Sequence, residues 1–148
     1  MENYPARSAR HRGLMQQFTP LNLSTDWTDY SVVKARGVRV VALSGQASYS
    51  TNDYTVENAV GCIEITGGKV GVHGTMMLIG FTLDSNPPPP AFEIVSGDAV
   101  GMMTLPAHCF AAYVAIANTT GAHFRLGADG LLNALATDAA SLYLPSAP

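Results

Sequence analysis

Residues 102–148 read MMTLPAHCFAAYVAIANTTGAHFRLGADGLLNALATDAASLYLPSAP. Short apolar runs alternate there with turn residues at Leu105-Pro106, Asn118-Thr119-Thr120-Gly121, Asp129-Gly130 and Leu144-Pro145. Apolar runs of strand length at that spacing predict an all-β sandwich or barrel. The pattern extends upstream, and strands are predicted at residues 38–43, 59–66, 69–73, 75–83, 92–96, 99–104, 109–117, 122–126 and 141–144. A hairpin turn is expected at Gly67-Gly68, where positive φ costs little without a Cβ. The prolines of Asn86-Pro87-Pro88-Pro89-Pro90 have no N–H to give a ladder, so this segment reads as a stiff exposed connection. Only residues 131–140 carry helical spacing, and Asp129-Gly130 before them pulls towards a hairpin.

The N-terminal quarter is of another kind. Residues 1–23 mix Pro, Arg, Gln and isolated apolar side chains without a period and read as an extended arm. Leu14, Met15, Phe18, Leu21 and Leu23 give that arm adhesive points. In residues 24–36, Ser24, Asp26 and Gly37 could frame a helix. Thr25, Thr28, Tyr30, Val32 and Val33 are strand-formers, and extended structure is preferred. The expected organisation is an arm over residues 1–37 and a β-sandwich domain over residues 38–148.

A chain of 148 residues is long enough for one core, burying roughly 68–70% of its unfolded surface. Hydrophobic residues make up 47% and charged residues 13%, where about 25% charged is usual. So little charge predicts a surface covered by other copies or dressed with Ser, Thr, Asn and Gly, and an oligomer is expected. The net charge is −3, unevenly spread. Arg7, Arg10, Arg12, Lys34, Arg36 and Arg39 lie in the first 39 positions beside three acids, and the remainder is acidic. A basic arm on an acidic body fits docking on nucleic acid or an acidic partner, and equally a solvated start.

Catalytic patterns are lacking. No G-x-S-x-G, H-E-x-x-H or D-x-D-x-D-G run occurs, and Gly67-Gly68-Lys69 is not a P-loop. Asp84, Asp98, Asp129 and Asp138 sit mostly beside Gly or Ser, where their carboxylates favour turns. A zinc set of Cys62, His73, Cys109 and His123 is outweighed by core or surface packing, and the two cysteines read as separate buried thiols. Asn118-Thr119-Thr120 is a glycosylation acceptor or simply a polar turn. The expectation is no enzyme, no cofactor and no metal. The polar, arginine-bearing start lacks the apolar core of a secretory signal. The longest apolar run, residues 76–81, is too short for a membrane span. A soluble, intracellular product is expected, with no membrane partner.

Four motifs occur in order: Gly68-Lys69-Val70-Gly71-Val72-His73-Gly74, Thr104-Leu105-Pro106-Ala107, the stretch from Gly121 to Asp129-Gly130, and Leu142-Tyr143-Leu144. Together they resemble the C-terminal heads of bacteriophage fibre and virion-surface proteins, which are trimeric jelly rolls of the C1q/TNF-like type. The likeness covers slightly over half the chain. His108-Cys109-Phe110 departs from the Gly and aromatic-Arg-Pro that follow the Leu-Pro element in that family, and no shaft precedes the head. The resemblance implies an antiparallel jelly-roll-like sandwich with an extended N-terminal arm, forming a homotrimer in a virion assembled in the host cytoplasm. Its role would be capsid decoration or a short spike. Arg7, Arg10, Arg12, Phe18 and Trp27 of the arm would meet a major capsid or tail protein. One alternative is a tail-fibre or baseplate tip binding a host surface receptor, with Tyr49 and Tyr54 in a polar loop at residues 48–58 as its aromatics. Another is a small jelly-roll coat protein with a genome-contacting arm. Three arginines are few for that task, so nucleic acid is not the expected partner.

Overall fold

The computed structural model describes residues 30–51, 54–127 and 129–145. Among these residues, seven strands form one sheet: β1 (Tyr30–Thr51), β2 (Tyr54–Val70), β3 (His73–Thr82), β4 (Ala91–Val95), β5 (Asp98–Pro106), β6 (His123–Gly127) and β7 (Ala134–Ala136). Their hydrogen-bonded order is β4-β5-β3-β2-β1-β6-β7. All neighbours are antiparallel except β3 and β5. That parallel pair arises because the chain leaves β3 through the proline segment, makes the outer β4, and returns to fill the gap with β5. The return is a tight turn with positive φ at both Ser96 and Gly97, the hairpin geometry that matches strand twist.

The all-β expectation is met, as a sheet buried on both faces. Met77, Ile79 and Phe81 of β3 point to one face with Ile63 and Ile65 of β2 and Phe92 and Ile94 of β4. The sheet curls so that Phe124 and Leu126 of β6 close over this cluster. Leu126 reaches the backbone of Gly101, and a Cβ there would lie 2.4 Å from its methyl. Asn133 fastens the closure, its amide donating to the Ala91 carbonyl at 3.0 Å and accepting from the Gly127 N–H at 3.1 Å. The two sheet ends are thereby brought together. Leu78, Val100 and Met102 point to the opposite face, where Val56, Tyr49 and Leu43 of the β1–β2 ribbon cover them.

That ribbon folds over the sheet because its strands are unequal. Ala42 pairs with Gly61 and Ala47 with Ala59, so β1 carries extra residues between the two pairs. Asn58 nearby has φ 48°. Bulges of this kind bend a strand sharply. Val56 then lies on Gly80, which has no side chain to obstruct it.

Several local expectations are corrected. Residues 110–117 form helix α1 (Phe110–Ala117), preceded by a 3-10 turn at Ala107–Cys109, instead of a strand. Ala111, Ala112, Ala115 and Ala117 favour the helix, whereas the strand reading weighed Phe, Tyr, Val and Ile. Tertiary position decides, since the chain must cross from β5 to the far side of β1 before pairing as β6. Phe110 packs on Phe81 with ring centroids 4.9 Å apart, in space left open by Gly61. Gly67-Gly68 lies inside β2, and the turn falls at Gly71-Val72. In residues 131–140, where helical spacing competes with the Asp129-Gly130 hairpin signal, turns and β7 form and β7 pairs antiparallel with β6, while Ala140–Leu142 is a 3-10 turn that displaces the strand expected over residues 141–144. Of the polar loop expected at residues 48–58, residues 48–51 and 54–58 belong to the two strands of the ribbon. Finally, the sheet takes in residues 30–37, assigned above to the arm, because β1 begins at Tyr30 and Val33 is buried.

Candidate functional site

Two concave features of the described surface bear on function. The first lies between the ribbon and the proline segment, lined by Thr55, Val56, Glu57, Thr82, Asp84, Asn86, Pro88 and Thr104. Its polar groups are largely committed to one another. Thr82 Oγ1 donates to the Glu57 carbonyl at 2.6 Å and accepts from the Asp84 N–H at 3.0 Å. Asn58 Nδ2 donates to Asp84 Oδ1 at 2.5 Å, and Ser48 Oγ donates to Glu57 Oε1 at 2.7 Å. The volume, about 70 Å³, suits a few waters and falls well below the several hundred Å³ of ligand pockets.

The second is a groove of about 370 Å³ lined by Val32, Val33, Lys34, Arg36, Gly68, Lys69 and Val70. It exists because β1 changes partner. Residues Tyr30 to Lys34 pair with β6, and pairing with β2 begins at Ala35↔Gly67. Beyond Gly67, β2 turns away to meet β3 at Val70↔His73. The two strands splay there, with Lys34 and Arg36 exposed on one wall and Lys69 on the other. Lys34 and Arg36 share a face because they are two apart on a strand. In the sequence these two belong to the basic N-terminal run, and nothing local joins Lys69 to them. Their alternate spacing was the available signal, and the β1–β2 register supplies the rest.

Among the described residues, no three His, Cys, Asp or Glu side chains gather as a metal set. His73 is buried with Nδ1 2.8 Å from the Gly97 carbonyl, and His123 Nδ1 lies 2.6 Å from the Gly121 carbonyl. Cys62 and Cys109 are free thiols. Burial pushes Cys62 up to about 12, with Glu64 adding to the effect, so it is no nucleophile near neutrality. Tyr49 is partly buried against the ribbon-covered cluster instead of standing free on a loop. Tyr54 begins β2, and its side chain lies outside the described part. Arg7, Arg10, Arg12, Phe18 and Trp27 lie outside the described residues. No described helix is long and apolar enough to cross a membrane. No family model, no curated protein and no solved structure matches the chain.

Proposed function

We propose that this chain is a non-enzymatic, self-assembling structural protein of a phage-like virion, a capsid decoration or short spike held by its N-terminal segment. The observation that carries the assembly reading is α1. It has no charged residue in its length, and Ala111, Ala112 and Ala115 face outward. Leu131 and Tyr143, at 70% and 60% exposure, add apolar surface elsewhere. A sparsely charged domain with such surface gains from association with like copies. The phage assignment rests on the ordered motifs. Of these, the stretch from Gly121 to Gly130 runs through β6 into the turn before β7.

Light scattering on the purified protein tests the reading. A stable oligomer, a trimer by the resemblance, is expected across a micromolar range. Deleting residues 1–29 leaves that oligomer intact and abolishes attachment to virions. A monomer at every concentration overturns the proposal.

A further inference from the structure

Five described residues carry a lysine or arginine side chain: Lys34, Arg36, Arg39, Lys69 and Arg125. Two are engaged within the fold. Arg39 pairs with Glu64 at 3.1 Å. Arg125 donates to the carbonyls of Leu132 and Leu142 and lies over the Tyr30 ring. The other three all line the splayed groove between β1 and β2, and among the described residues no acid lines it with them. Three like charges gathered without a counter-charge favour an anionic occupant. Val32 and Val70 in the same lining favour an apolar group beside that anion.

The opposite end of the sheet offers this combination. Residues 83–86 follow β3 as an exposed loop, Leu83 at 52% exposure and Asp84 next to it. Four prolines stiffen the chain that follows, and the Asn58 and Thr82 bonds to Asp84 fix the start. Glu57 adds a second exposed carboxylate nearby. The groove lies at the first residue of β3 and the loop beyond its last. A strand of 10 residues separates the two by roughly 30 Å, so the loop cannot fill its own groove.

We infer that the groove receives the 83–86 loop of a second copy, with Leu83 against Val32 and Val70 and Asp84 among Lys34, Arg36 and Lys69. This contact joins two different patches, a head-to-tail arrangement that closes into a ring when the rotation permits, as in a cyclic trimer. The inference rests on the self-assembly reading and names its interface. Charge complementarity of this kind sets register and partner choice.

Charge exchange tests it. Lys34→Glu with Arg36→Glu, and separately Asp84→Lys, are each expected to weaken self-association at least tenfold by sedimentation velocity. One chain carrying all three changes restores it, which also shows that the substitutions leave the fold intact. If both variants associate like the unsubstituted protein, the groove assignment is overturned while self-assembly stands. Monomeric unsubstituted protein removes both. A 20-nucleotide single-stranded DNA that binds the unsubstituted protein and not Lys34→Glu/Arg36→Glu overturns the assignment in favour of phosphates.

Discussion

Arg125 and Cys62 show how single residues of this chain are governed by their surroundings. Arg125 sits on β6, partly buried, and its guanidinium serves two carbonyls, Leu132 at 2.5 Å and Leu142 at 2.9 Å. It holds the turn before β7 through Leu132 and the segment after β7 through Leu142, and the Leu144 N–H also ties that later segment to the Tyr30 hydroxyl at 2.9 Å. Hydrogen bonds from a charged donor contribute about 1.5–3 kcal/mol each. Arg125→Leu is therefore expected to cost roughly 2–4 kcal/mol in urea unfolding, with Arg125→Lys recovering only part because an ammonium lacks the planar fork. Cys62 is 3% exposed, and burial raises its folded value from 9.0 to about 12. The folded state thus holds this proton where the unfolded chain has released it. Its stabilising contribution is complete below pH 9 and declines as pH rises towards 12, by about 1.4 kcal/mol per unit for one proton. Cys62→Ala should flatten that alkaline decline in pH-dependent unfolding; an unchanged slope would refute the assignment.

At the scale of elements, two glycines decide where whole segments lie. A Cβ on Gly80 would come within 2.3 Å of Val56, and one on Gly61 within 2.3 Å of the Phe110 ring. The first position seats the ribbon and the second seats α1. Gly80→Ala is expected to lift the ribbon and destabilise by roughly 1–3 kcal/mol, as overpacking does. Proteolysis within residues 43–58 should accelerate in step; protection equal to the parent would contradict this account. Phe110→Ala removes the ring packed on Phe81 and should cost about 3 kcal/mol, read from the urea midpoint. The sequence signalled most strands correctly because alternation and turn residues are local properties. It misread α1 because an uncharged, apolar octapeptide has strand and helix readings of similar strength. The crossover from β5 to β6, visible only in three dimensions, selects the helix.

At the scale of the whole molecule, the described residues form one curled sheet with an apolar cluster on each face and charge concentrated in places. Assembly through the groove should be salt-sensitive, since its contact is partly exposed and the Debye length falls to about 3 Å at 1 M salt. Raising salt from ~0.05 to ~1 M is expected to weaken that interface severalfold by scattering mass. Contacts through α1, which carries no charge, should persist or strengthen. Neither surface was legible beforehand. Lys34, Arg36 and Lys69 are brought together by strands that pair and then diverge, and 33 positions separate the closest of them from Lys69.

What the sequence determined by itself was the class: most of its apolar runs, punctuated by Gly, Pro and Asp-Gly, are too short and too often interrupted for helices and bury themselves as strands, with α1 the exception. It also determined the scarcity of charge, which is a matter of composition. Tertiary structure alone decided that the β1–β2 ribbon folds back over the sheet, that Asn133 joins the two sheet ends, and that three cations meet in one groove. Each depends on residues distant in the chain whose registers and bulges are set by packing on both faces of a curved sheet. No local pattern encodes that curvature.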